Sequence, residues 1–119
     1  MSALLDTNTI LYFLAGRVGA QLPAVPLAAS VISKIEALSY PAIKADEEKQ
    51  VRAFFQAINV VSLDESISEM AILLRRRHRL KIPDALIAAT ALVHDMELVS
   101  ADQHFVCIPD LRLRTITPE

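Results

Sequence analysis

The sequence is short of residues that several protein classes depend on. Only two of its 119 residues are glycine, which argues against an all-β fold rich in tight turns. A single cysteine, Cys107, excludes an internal disulfide and points to a reducing compartment. Tryptophan is absent and aromatic residues make up 5%, too few for a base-stacking platform. No apolar run approaches the ~20 residues of a membrane span. No basic segment precedes the first apolar run, so a signal peptide is not expected and the chain reads as cytoplasmic. Positive charge is not in excess either. The net charge of −2 disfavours a general nucleic-acid binder, whose affinity rests on many phosphate contacts. It leaves room for an acidic pocket beside a local basic patch.

What is present is an apolar chain, 53% hydrophobic and 22% charged, which excludes disorder and fits one domain over residues 1–119. The mean hydropathy of +0.37 is high for a small soluble monomer and suggests surface covered by a partner or a second copy. Residues 2–6 read as a strand and 8–15 as a helix stopped near Gly16. The segment GRVGAQLPAVP is loop-like, and Leu27–Ser30 reads as a second strand. A helix over 31–40 has Val31, Ile35 and Leu38 at inward spacing before Pro41, and 45–57 has Val51, Phe54, Phe55 and Ile58. NVVSL, 59–63, is a strand. Ser62 and Glu65 then fit a capping box for a helix over 64–79. Pro83 opens an all-apolar helix over 84–95, and ELVS at 97–100 and LRTI at 113–116 complete the strands. Strands alternating with helices predict an α/β fold whose parallel sheet is covered on both faces.

Four acids stand in apolar context: Asp6, Glu36, Asp84 and Asp102. Singly, each has a plain structural explanation. Asp6 suits a helix cap, Glu36 a capping box, Asp84 the positive end of its helix, and Asp102 an Asx turn. Together they suggest more. Asp6 and Asp102 follow strands, and the C-terminal edge of a parallel sheet is where α/β proteins build sites. Two carboxylates ~5 Å apart repel by about 3 kcal/mol at an effective dielectric near 20, so four gathered in one pocket call for a cation. An all-oxygen set suits Mg²⁺ or Mn²⁺ rather than zinc, and no Cys/His pair has zinc spacing. Such ions serve phosphodiester hydrolysis without a nucleophilic triad or a Gly-rich phosphate loop, and the sequence has neither.

At these residues the sequence resembles the PIN domain family, and within it the VapC-type ribonuclease toxins. LLDTN at 4–8, SVISKIEAL at 30–38, KIPDALIAATAL at 81–92 and LVSADQHF at 98–105 carry the resemblance, in the family's order. The resemblance implies a three-layer α/β/α sandwich with a central parallel sheet. It implies a metal-dependent endoribonuclease in which Asp6, Glu36, Asp84 and Asp102 bind one or two Mg²⁺ or Mn²⁺ ions, with Glu36 a ligand or a guide for water. Asn8 and Ser100 match polar positions that orient the site, and capping and turn bonds explain them equally well. It further implies a homodimer and a small VapB-like antitoxin that occludes the acidic pocket. Ser-Ala-Asp at 100–102 replaces the more usual Thr-x-Asp and keeps the hydroxyl.

Outside these motifs, RRRHR at 75–79 puts Arg75, Arg76 and Arg79 on one side of a helix end. They suit RNA phosphates or an acidic partner, although a solvated face explains them more simply. His78, His94 and His104 read as isolated, and Cys107 as a small apolar residue. A haloacid-dehalogenase-like phosphatase requires a second Asp where Asn8 stands. A receiver-like domain requires adjacent acids at the first strand. A PIN scaffold that binds RNA or protein without cleaving is the non-enzymatic alternative.

Overall fold

The computed structural model describes residues 2–119. Five short strands form one wholly parallel sheet: β1 (Ala3–Leu5), β2 (Leu27–Ser30), β3 (Asn59–Val61), β4 (Glu97–Ser100) and β5 (Leu113–Thr115). Their spatial order is β3-β2-β1-β4-β5. The chain winds outward from β1 through β2 to β3, then returns to the other side of β1 for β4. That reversal opens a crevice between the carboxyl ends of β1 and β4.

Alternation along β1 builds two cores. Ala3 and Leu5 face one layer with Ile10, Val51, Phe54 and Phe55, supplied by α1 (Thr7–Leu14) and α3 (Ala45–Ala57). Leu4 faces the other, with Ile67, Ala71 and Leu74 of α4 (Glu65–His78) and Ala85, Ile87 and Ala88 of α5 (Ile82–Val93). The expected α/β/α sandwich is therefore the fold. α2 (Val31–Leu38) straddles the layers, with Ala37 in the first core and Ile32 packed against the second. A short 3₁₀ turn, Gln103–Cys107, follows β4 and buries Phe105.

Two strands pass into helices without a loop. Asp6 follows Leu5 directly and caps α1, and Ser30 both ends β2 and caps α2. Strand register thus fixes the start of each helix and the residues one turn into it.

Several sequence expectations need correction. Ile35 does not face inward; it is 56% exposed, and the small residues Ser33 and Ala37 make the buried face of α2 instead. This helix lies close to its neighbours, and small side chains at i and i+4 permit that where Ile would not. The capping box at Ser62–Glu65 does not form. Asp64 caps α4, its Oδ1 accepting the Ile67 N–H at 2.9 Å. α5 begins at Ile82, with Pro83 in its first turn, so Asp84 sits inside that turn rather than opening the helix. Cys107 is exposed, its thiol donating to the His104 carbonyl.

Candidate active site

Three of the four acids occupy helix starts along the carboxyl edge of the sheet. Asp6 caps α1, Asp84 lies in the first turn of α5, and Asp102 caps the 3₁₀ turn after β4. Unpaired N–H groups at a helix start carry partial positive charge, which offsets some cost of gathering carboxylates there. Glu36 comes from the exposed side of α2. The capping and turn roles suggested by the sequence are therefore real for Asp6 and Asp102, and they coexist with convergence.

Asp6 is the fixed point. It is 6% exposed; its Oδ1 accepts the Thr9 N–H at 2.9 Å and its Oδ2 accepts the Ser100 hydroxyl at 2.5 Å. Burial pushes its carboxyl above the ordinary aspartate range, the Ser100 and Thr9 bonds pull it back, and the charge of Asp102 adds to the upward push. Ser100 has a second task, accepting the Asp102 N–H at 2.9 Å. One hydroxyl thus ties two acids together across 94 residues of sequence. Thr9 also donates its hydroxyl to the Val99 carbonyl at 3.1 Å, clamping α1 onto β4.

Glu36, Asp84 and Asp102 line one cleft of about 500 Å³ together with Asn8, His78, Arg79, Leu80, Lys81, Pro83 and His104. The Thr7 hydroxyl donates to Glu36 Oε1 at 2.6 Å and lies 2.9 Å from the buried Ser33 hydroxyl, so Glu36 is held although exposed. Asp84 and Asp102 are partly exposed and face the same imidazole, that of His104.

The cleft therefore gathers Glu36, Asp84, Asp102 and Asn8, with Asp6 and Ser100 coupled to Asp102 beneath. Of the three arginines, Arg79 lines it; Arg75 donates Nε to the Leu80 carbonyl at 3.0 Å, and neither Arg75 nor Arg76 lines the cleft. Thr7, Thr9 and Lys81 were not among the residues the sequence singled out, and His78 and His104, which read as isolated, both line the cleft. A signal existed for Thr7, which adjoins Asp6. None existed for Lys81 or His104, whose place depends on how α5 and β4 meet.

The donor set suits a hard divalent cation: every acid offers oxygen, and the charges of Asp6 and Asp102 already oppose one another. The set is not a closed cage. Among the described residues, no three His, Cys, Asp or Glu side chains stand at metal-ligand spacing.

Comparison with known proteins adds to this geometry. The family model for the PIN domain matches residues 3–111. The fold is similar to a chain of a toxin–antitoxin complex from Klebsiella pneumoniae, with 33% identity and a TM-score of 0.78, covering 92% of this chain and 94% of that one. It is also similar to VapBC2 from Rickettsia felis bound to a promoter DNA fragment, at 20% identity, TM-score 0.81, and 98% and 100% coverage. At that identity the likeness concerns the fold alone, as it does for DNA-bound VapBC from Salmonella typhimurium, with 17% identity, TM-score 0.78, and 97% and 98% coverage. No curated protein matches the sequence.

Proposed function

The chain belongs to the PIN domain family, and from that premise we propose that it is a metal-dependent endoribonuclease, the toxin of a VapBC-like toxin–antitoxin pair. One observation carries the reading: of four carboxylates from four separate elements, Glu36, Asp84 and Asp102 line one cleft, and Asp6 is tied to Asp102 through Ser100. Mg²⁺ or Mn²⁺, as one or two ions, would be held by Asp6, Asp84 and Asp102. Glu36 would serve as a further ligand or orient the attacking water. A divalent ion in such a site supplies Lewis acidity, lowering the pKa of bound water and neutralising charge on the phosphodiester.

The chain's own residues do the rest. Ser100 and Thr9 hold Asp6 in one orientation, so the site does not reorganise when charge develops. Thr7 holds Glu36 at the mouth of the cleft. Arg79 and Lys81 line the cleft with the acids and offer positive charge to phosphates flanking the cut. With few aromatic residues, recognition would rest on RNA backbone and shape.

The partners follow from exposed apolar side chains. Leu11, Phe13, Ile35 and Tyr40 are exposed around α1 and α2, where a groove of about 430 Å³ lies between them and α3. That groove suits an apolar segment of a small antitoxin, a partner consistent with the toxin–antitoxin complex that the Klebsiella chain belongs to. Ile72 and Ile82, exposed on α4 and α5, suit a homodimer contact. Among the described residues no helix is long and apolar enough to cross a membrane.

The deciding experiment is incubation with RNA in Mg²⁺ or Mn²⁺, with and without chelator, for the wild type and for Asp6→Asn and Asp84→Asn. Cleavage is expected to need metal and to fall by at least about 100-fold in either variant. Cleavage indifferent to chelation and to both substitutions would end the metal reading. The open arrangement of the acids favours one second reading, a PIN scaffold that binds RNA or protein without cutting. Metal-dependent RNA binding with no cleavage would select it.

A further inference from the structure

His104 fills the gap between two of the acids. Its Nδ1 lies 2.7 Å from Asp102 Oδ1 and its Nε2 lies 3.4 Å from Asp84 Oδ2, so each ring nitrogen faces a different carboxylate. Asp102 Oδ1 also accepts the His104 main-chain N–H at 3.2 Å. The main chain here is anchored from the other side. The next residue, Phe105, is 1% exposed in the core, and the 3₁₀ turn holds the segment. The His104 side chain is by contrast 53% exposed. Its ring can therefore rotate away while Asp102 keeps its place as the cap.

These contacts bear on the site's chemistry because an oxygen facing a ring nitrogen at 2.7 Å has no room for a cation on that side. The other charged groups lining the cleft are Glu36, Arg79 and Lys81, along with His78. Of the residues lining the cleft, His104 is the one paired with two of the acids.

We propose that His104 is a latch on the acidic site: its ring bridges Asp84 and Asp102 when no divalent cation is bound and swings out when one binds. The inference rests on the reading of these acids as metal ligands. Binding then includes the work of opening the latch, so the observed affinity is the intrinsic affinity reduced by the fraction of molecules already open. His104 acts through the two carboxylates and is a positioning residue. The same ring occupies the space between the two carboxylates in the metal-free protein.

The test is Mn²⁺ binding to the full chain at one fixed pH, followed by the electron paramagnetic resonance of free Mn²⁺, in wild type, His104→Ala and Asp84→Asn. Contacts made by a half-exposed side chain are weak, so His104→Ala is expected to bind Mn²⁺ about two- to fivefold more tightly than wild type. Asp84→Asn is expected to bind it more weakly. Unchanged or weaker binding by His104→Ala, with Asp84→Asn impaired, would overturn the latch and leave the metal reading standing. Wild type that binds no Mn²⁺, or Asp84→Asn that binds it as well as wild type, would overturn the metal reading and the latch with it. A second measurement needs no variant. The three-bond couplings that report the His104 χ1 rotamer are expected to change as Mg²⁺ is added to wild type, and a rotamer indifferent to saturating Mg²⁺ would refute the swing.

Discussion

At the scale of single residues, the site depends on how Asp6 is held. Its folded carboxyl titrates above the ordinary aspartate value, chiefly because burial penalises its charge. A raised folded value means that Asp6 favours the folded state at pH below its unfolded value, and that this contribution is lost as pH rises through the raised one. Above that raised value the ionised group is therefore a cost to the metal-free protein. Asn keeps the shape and an acceptor for the Thr9 N–H without the charge. Asp6→Asn is accordingly expected to raise the melting temperature in chelator at neutral pH and to flatten its decline from acidic to neutral pH. Differential scanning calorimetry across that range checks this, and a variant less stable than wild type throughout would contradict it. Ser100 is the second such residue, since its hydroxyl serves Asp6 and the Asp102 N–H at once. Ser100→Ala should cost roughly 1–3 kcal/mol of stability, from one buried and one partly buried polar partner left unpaired. If the acids hold metal as proposed, it should also cost about 10–100-fold in Mn²⁺ affinity, the usual loss when a group orienting a ligand is removed. Urea unfolding and calorimetric titration read the two effects separately.

At the scale of elements, the end and the beginning of α4 make distinct claims. Arg79 ends the helix in the left-handed region, φ 54°, a conformation disfavoured for a residue with a side chain. It also lines the acidic cleft. Arg79→Gly is expected to stabilise the fold by about 1 kcal/mol while weakening RNA binding and lowering its salt slope by about one. Chemical denaturation and filter binding at several salt concentrations would show both. At the other end, Asp64→Ala should cost about 1 kcal/mol as a lost cap, whereas Ser62→Ala should stay within about 0.5 kcal/mol. Equal costs would revive the capping box. α2 teaches a related lesson. Its apolar residues announced a helix correctly, and Leu38 does pack against the first core, but Ile35 faces outward. Ser33 and Ala37 are buried because the neighbouring elements lie close, and hydrophobicity alone does not register that.

At the scale of the whole molecule, the two helical layers leave different apolar surfaces uncovered. Leu11, Phe13, Ile35 and Tyr40 surround one, and Ile72 and Ile82 mark the other. The high mean hydropathy thus has a visible counterpart in the folded chain. Ile72→Lys, on an exposed position, is expected to leave stability within about 0.5 kcal/mol and to convert a homodimer to a monomer. Sedimentation velocity decides it: a wild type already monomeric at the same concentration would remove the dimer contact from this face.

The order and kind of the elements, and the identity of the acids, were fixed locally. Helical spacing, strand alternation and breaker residues act within a few positions, so LLDTN or KIPDAL carries its own structure wherever it stands. Which acids meet was decided by the strand order β3-β2-β1-β4-β5. That order sets β1 beside β4 and lets Ser100 reach Asp6 across most of the chain. His104 shows the limit most clearly. Its sequence neighbourhood marks it as an ordinary turn residue, two positions after an acid. Its contact with Asp84 exists only because α5 begins beside the turn that follows β4, a meeting set by packing and not by any local pattern.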